Sequence, residues 1–126
     1  MTPDGRQQVL LVEDEILLRE TIAESLADEG FDVLQAATGE EALLLIRSET
    51  DSIDWLITDI RLPGVLDGWH VAFEFRFLHP LRPVIYVTGF TSPMPPLVSG
   101  SMFLRKPYDI EQVKAALRKL TQSSNI

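Results

Sequence analysis

Five polar residues follow four separate apolar runs of the chain, and their types could do chemistry if the fold brought them together. They are Glu13, Asp14, Asp59, Thr88 and Lys106. Carboxylates that meet at one edge of a sheet repel each other, at about 4 kcal/mol for two charges 4 Å apart in an effective dielectric of 20. Such a site must protonate one carboxylate, pair one with a cationic side chain, or bind a metal ion.

The ligand types favour one class of metal and one class of reaction. Oxygen ligands without histidine or thiolate favour Mg²⁺ over zinc. Lys106 adds a mobile ammonium group and Thr88 adds a hydroxyl donor. A divalent ion, an ammonium and a hydroxyl around a free carboxylate suit phosphoryl transfer onto that carboxylate, because they neutralise charge on the transferring oxygens.

The elements that would position these residues are apolar strands alternating with amphipathic helices. Strands are predicted at 9–12, 31–36, 55–58, 84–87 and 102–104. Helices are predicted at 16–29, 38–48, 67–79 and from 109 onward. Short, largely apolar strands alternating with helices indicate an α/β fold, a doubly wound parallel sheet with right-handed crossovers. Ligands of such sheets bind beyond the carboxyl ends of the strands, where the five polar residues lie.

Capping residues predict where helices begin, and a cluster of prolines predicts that one helix is shortened or absent. Capping boxes are predicted for Thr38 with Glu41 and for Asp109 with Gln112. The third helix is expected to turn Val71, Phe75 and Leu78 inward. Three prolines lie within positions 93–96, and proline inside a helix costs about 3 kcal/mol. Helix four is therefore predicted to be shortened or replaced by a Pro-rich loop, with at most one turn around Leu97.

Composition limits the chain to one domain and excludes several classes of function. The 126 residues contain no cysteine, which excludes disulfide scaffolds and zinc–thiolate sites. Residues 1–60 carry a net charge of −12 and residues 61–126 a net charge of +4. An acidic chain without a basic stripe is a poor candidate for binding nucleic acid or an anionic membrane. No apolar run reaches the ~20 residues of a membrane span. The absence of cysteine makes a reducing cytoplasm the expected location.

Four segments carry a resemblance to a known family. In chain order they are VLLVEDE (9–15), LITDIRLPG (56–64), VIYVTG (84–89) and FLRKPY (103–108). Together they resemble the receiver domain of bacterial two-component response regulators, and the chain is similar to stand-alone receivers of the chemotaxis type. The resemblance covers residues 9–120, so 1–8 and 121–126 are expected to be short tails.

The resemblance implies a fold and a reaction. The family has five parallel strands in the order 2-1-3-4-5, the flavodoxin-like arrangement. Asp59 would accept a phosphoryl group from a phosphohistidine on a sensor histidine kinase or phosphotransfer protein. Mg²⁺ would be held by Asp14, Asp59 and the backbone carbonyl of Arg61, with Glu13 reaching the ion through water. The chain would be a phosphoacceptor signalling protein that promotes only its own phosphorylation and dephosphorylation.

The resemblance also assigns roles on the last two strands. Lys106 and Thr88 would grip the phosphoryl oxygens, and the Lys106–Pro107 peptide bond is expected to be cis. Phe103 stands where the family has its switch aromatic, which would work together with Thr88. The alternative for Phe103 is an ordinary packed strand residue.

Several alternatives stay open at this point. Asp14 could instead cap the first helix. The chain could be a pseudo-receiver, an interaction module that is never phosphorylated. It could also be a Mg²⁺-dependent phosphatase of the haloacid dehalogenase type, although that chemistry needs an acid two residues after the nucleophile, where this chain has Arg61. The loop 63–67 is one residue longer than is usual in the family, and 18 positions separate Thr88 from Lys106, which leaves oligomeric state and output target open.

Overall fold

The structure, a computed structural model, describes residues 2–89 and 98–123. Its elements in chain order are β1 Gln8–Val12, α1 Ile16–Asp28, β2 Asp32–Ala36, α2 Gly39–Ser48, β3 Trp55–Asp59, α3 Gly68–Leu78, β4 Val84–Thr88, β5 Ser101–Arg105 and α4 Ile110–Ser123. Helix α4 is the fifth helix of the expected pattern, and it runs three residues past Leu120. The predicted Pro-rich replacement of helix four lies at 91–97, outside the described residues, and stays a prediction.

The five strands form one parallel sheet in the order β2-β1-β3-β4-β5, which confirms the predicted topology. Strands β1 and β3 are neighbours, with Val9 opposite Trp55 and Val12 opposite Thr58. All five residues of β3 are buried, as expected for a strand that is covered by helices on both faces. Because β1 and β3 are adjacent and parallel, the residues that follow them emerge at the same edge of the sheet.

The core consists of two apolar layers, one on each face of the sheet. Leu10 and Val12 of β1 face the layer that includes buried residues of α2 and α3. Val9 and Leu11 face the other layer, which includes residues of α1 and α4. This alternation follows from the two-residue period of a strand. In the part of the chain that the structure describes, no helix combines the length and the apolar character needed to cross a bilayer.

Helix ends agree with most of the local predictions. The Thr38 hydroxyl oxygen accepts a hydrogen bond from the Glu41 N–H at 3.1 Å. The Glu41 side chain accepts the Ala37 N–H at 3.2 Å and not the Thr38 N–H, so this predicted capping box forms only in part. The Asp109 N–H donates to the Gln112 side chain and the Gln112 N–H donates to Asp109, both at 2.9 Å. The prediction that Leu78 faces inward was wrong, because this last residue of α3 is 41% exposed.

The loop after Asp59 folds back so that α3 begins against the backbone of β3. The Gly68 N–H donates to the Ile60 carbonyl at 2.8 Å. A Cβ atom at Gly68 would lie only 2.0 Å from the Asp59 carbonyl oxygen. Gly64 turns the loop with a φ of +90°, a left-handed conformation that glycine adopts without strain. The absence of a side chain at Gly68 therefore permits the close approach between α3 and Asp59.

The substitution Gly68→Ala is expected to destabilise the fold by about 2 kcal/mol or more, because its methyl group would overlap backbone atoms that side-chain motion cannot move. The matched control is Gly89→Ala, where a Cβ would meet nothing within 4 Å. Urea unfolding should show a change within about 0.5 kcal/mol for the control. Equal stabilities of the two variants would contradict this account of the loop.

Candidate functional site

Three carboxylates meet at the carboxyl edge of β1 and β3. One oxygen each from Glu13, Asp14 and Asp59 lies within 4.8 Å of the others. Glu13 is 1% exposed and Asp59 is 6% exposed, whereas Asp14 is exposed. The strand order brings these residues together as the sequence predicted, with two buried carboxylates behind one that solvent can reach.

Lys106 lies between the two buried carboxylates. Its Nζ is 2.7 Å from Glu13 Oε1 and 2.8 Å from Asp59 Oδ2. The Lys106 N–H donates to the Thr88 carbonyl at 2.8 Å, which fixes the start of this side chain beside the end of β4. The peptide bond to Pro107 is cis, as predicted. Of the three ways to relieve carboxylate repulsion, the structure shows pairing with a cation.

Glu13 is held by more than its ion pair. Its Oε2 accepts the Glu15 N–H at 3.0 Å, and its backbone carbonyl accepts a guanidinium N–H of Arg19 at 2.9 Å. Sequence reasoning missed both the Glu13–Lys106 ion pair and the role of Arg19. Helical spacing places Arg19 in the first turn of α1, but nothing in the sequence shows that it turns back toward Glu13.

The alternative role of Asp14 as a helix cap is wrong. The N-cap residue of α1 is Glu15, whose side chain makes no capping hydrogen bond with any residue that the structure describes. The Asp14 carboxylate instead contributes to the acidic cluster.

The electrostatics of the site follow from burial and charge. Burial raises the pKa of Asp59 to about 6, and the hydrogen bond from Lys106 opposes this shift. Burial alone would lower the pKa of Lys106, but its hydrogen bonds with Asp59 and Glu13 outweigh burial and raise that pKa. Lys106 is therefore charged at neutral pH, and Asp59 becomes easier to ionise when further positive charge comes close.

The residues present fit a hard divalent cation. By formal charge, three carboxylates and one ammonium leave two negative charges in excess at a cluster whose ligands are all oxygen. Mg²⁺ prefers oxygen ligands and keeps several waters of its own, so a half-open cluster with one exposed carboxylate suits it.

The other predicted residues occupy the same edge or the neighbouring strand. Thr88 is 1% exposed at the end of β4, one residue after the Val87 that pairs with Asp59. Arg61 is exposed two residues after Asp59. Phe103 pairs with Tyr86 across β4 and β5 and is 39% exposed, so it is not a fully packed strand residue. Its role as a switch stays a prediction.

Comparison with known sequences points to one family. The model of the response regulator receiver domain matches residues 9–118. The chain is 29% identical over 125 residues to the sensor kinase CckA of Brucella abortus, a match that covers 96% of the chain and 13% of the kinase. It is 34% identical over 124 residues to the transcriptional regulatory protein TrcR of Mycobacterium tuberculosis, covering 94% of the chain and 46% of the regulator. The chain thus spans less than half the length of these two relatives.

Solved structures give the same result. A response regulator receiver protein from Sinorhizobium medicae superposes with a TM-score of 0.82 at 29% identity, covering 95% of this chain and 98% of that one. The response regulator TrrA of Thermotoga maritima, solved in complex with Mg²⁺ and BeF, superposes with a TM-score of 0.75 at 30% identity, covering 90% and 98%. The family match, the strand order and the acidic cluster agree, and the chain belongs to the response regulator receiver domain family.

Proposed function

We propose that Asp59 accepts a phosphoryl group from a phosphohistidine on a sensor histidine kinase or phosphotransfer protein, within a receiver domain that spans residues 9–120. The observation that carries this proposal is the buried Asp59 carboxylate, 2.8 Å from the Lys106 ammonium and clustered with Asp14 and Glu13. The relationship to a sensor kinase and to transcriptional regulators supports a place in two-component signalling.

The site would hold one Mg²⁺ ion through the carboxylates of Asp14 and Asp59 and the backbone carbonyl of Arg61, with Glu13 acting through water. The Mg²⁺–BeF complex of TrrA, a relative with the same fold, supports this proposal. When bound, the ion supplies positive charge that offsets the charge on the phosphoryl oxygens. The exposed side of the cluster at Asp14 leaves room for its waters.

The transfer itself is a substitution at phosphorus. A carboxylate oxygen of Asp59 forms a bond to phosphorus while the bond from phosphorus to the histidine nitrogen breaks, and the imidazole leaves with the electron pair. Lys106 and the Thr88 hydroxyl would hold the phosphoryl oxygens. Burial of Asp59 and Thr88 limits water around the reacting carboxylate, which strengthens these charge–charge interactions.

The chain would act on its own aspartyl phosphate and not on external substrates. The position two residues after Asp59 holds Arg61, so the site lacks the acid that a phosphatase of the haloacid dehalogenase type places there. We place the domain in the cytoplasm, where its kinase partner would present the phosphohistidine. Its partners would be proteins, because the acidic charge of the chain disfavours phosphate backbones and anionic membranes.

Incubation with Mg²⁺ and acetyl phosphate should add one phosphoryl group per chain, measured by intact mass. The variant Asp59→Asn should gain none, whereas the control Asp51→Asn, in an exposed turn, should gain one. A pseudo-receiver would leave the wild-type mass unchanged, and this result would contradict the proposal. Repeated hydrolysis of a phosphate ester by the wild type would indicate a phosphatase instead.

The substitution Lys106→Met should abolish phosphorylation and lower the free energy of unfolding by about 3 kcal/mol at neutral pH without metal, because it leaves Glu13 buried and unpaired. Saturating Mg²⁺ should recover more stability in this variant than in the wild type, since the excess negative charge is larger. The control is Lys114→Met, which removes ion pairs of 3.3 Å with Glu29 and Glu111 at the surface.

The Lys114→Met control should lose at most about 1 kcal/mol. Urea unfolding with and without Mg²⁺ measures both effects. If Lys106→Met were as stable as Lys114→Met in the absence of metal, the Lys106 bridge would not be what stabilises the buried carboxylates.

A further inference from the structure

Arg19, in the first turn of α1, contacts both ends of the short turn that carries Glu13 and Asp14. Its guanidinium donates to the Glu13 carbonyl at 2.9 Å, and its backbone N–H donates to the Glu15 carbonyl at 2.9 Å. Its Nε also donates to the Gln35 side chain, at 3.3 Å. The residue is half-buried, so this side chain lies along the protein surface and does not extend into solvent. One residue of α1 therefore closes the turn between β1 and the helix.

The backbone of Glu13 is fixed by two elements of the fold. The Glu13 N–H donates to the carbonyl of Ala36, the last residue of β2, at 3.0 Å, and the Glu13 carbonyl accepts the Arg19 guanidinium. That carbonyl belongs to the planar peptide unit that joins Glu13 to Asp14. Because the same plane includes the Asp14 Cα, the direction of the carbonyl determines where the Asp14 side chain begins.

The Asp14 carboxylate lacks the support that the two buried carboxylates have. Glu13 and Asp59 are paired with Lys106, whereas no residue that the structure describes donates a hydrogen bond to the exposed Asp14 carboxylate. Asp14 nevertheless contributes an oxygen to the cluster, within 4.8 Å of the other two carboxylates. Its direction therefore depends on the backbone that carries it, because a solvated carboxylate on a loose turn would spread over several orientations.

We propose that Arg19 is a positioning residue for the metal site, which holds the Glu13 carbonyl so that the Asp14 carboxylate faces the cluster. This inference rests on the proposed function. Residues that orient the ligands of a metal change its affinity by about 10- to 100-fold when they are removed. The charge of Arg19 acts in the opposite direction, because a cation near the cluster repels Mg²⁺. Removal of the charge alone would tighten Mg²⁺ binding, whereas loss of the positioning contact weakens it.

The variant Arg19→Met tests this role, because it removes the guanidinium and keeps an unbranched side chain of high helix propensity. The midpoint of a Mg²⁺ titration, followed by the amide resonances of Asp14 and Glu15, should rise about tenfold. The rate of phosphorylation by acetyl phosphate should stay close to the wild-type rate at saturating Mg²⁺, while the Mg²⁺ concentration that gives half of this rate rises by the same factor. A purely structural defect would lower the rate at saturation and leave the half-maximal concentration unchanged, which would contradict the inference.

Two control variants separate the contact with Glu13 from the other effects of Arg19. Arg47→Met removes the same charge from α2, where Arg47 pairs with Glu74 at 2.9 Å. Gln35→Leu removes the second contact of Arg19 and keeps the hydrogen bond to the Glu13 carbonyl. Both controls should keep the wild-type Mg²⁺ midpoint. Without metal, the carbonyl ¹³C resonance of Glu13 should shift in Arg19→Met and stay in place in Gln35→Leu.

Two results separate this inference from the proposed function. If the wild type binds Mg²⁺ and is phosphorylated, but Arg19→Met binds Mg²⁺ as tightly as the wild type or more tightly, or the Glu13 carbonyl resonance does not shift, the inference is overturned alone. If the wild type takes up neither Mg²⁺ nor a phosphoryl group, the proposed function fails and the inference fails with it.

Discussion

The repulsion among carboxylates at the ends of two adjacent parallel strands is the constraint on which this site depends. The strand order and the register of β1 with β3 bring Glu13, Asp14 and Asp59 to the same edge of the sheet. Burial of Glu13 and Asp59 intensifies the repulsion, because water no longer screens it. The fold therefore concentrates negative charge at one edge of the sheet, where a bound cation lowers the electrostatic energy. This attraction for cations is the physical basis of the proposed chemistry.

The ammonium group of Lys106 offsets part of this negative charge, and its position depends on the pairing of the last two strands. Its backbone N–H bonds to the Thr88 carbonyl at the end of β4, so the pairing of β5 with β4 places the Lys106 ammonium beside Glu13 and Asp59. One ammonium cannot neutralise three carboxylates, and the remaining negative charge favours binding of a divalent cation. Gly68 contributes from the other side by letting α3 approach the backbone of Asp59. Residues that are distant in sequence thus together determine the net charge and the geometry of the site.

Much of this arrangement could be predicted from the sequence because it depends on patterns of short range. Continuous apolar runs such as 9–12 indicated buried parallel strands, and polar residues at their ends indicated the edge where a site forms. The Asp109–Gln112 capping box and the Thr38 cap followed from side chains three positions apart. Asp14 was open to a capping role because a carboxylate at a helix start looks the same in sequence whether it caps or faces a cluster. Leu78 fits the helical period, but the helix ends there and leaves it exposed.

The features that sequence could not predict depend on three-dimensional distances. The length and path of the Lys106 side chain decide whether it contacts Glu13, and no local pattern encodes that contact. The close approach at Gly68 likewise appears only when distant segments pack.

A crystal structure grown with Mg²⁺ tests the central claim most directly. We expect one ion at about 2.0–2.1 Å from carboxylate oxygens of both Asp14 and Asp59, with Lys106 still paired to Glu13. An acidic cluster that holds no ion at saturating Mg²⁺, or an ion bound elsewhere on the chain, would contradict it.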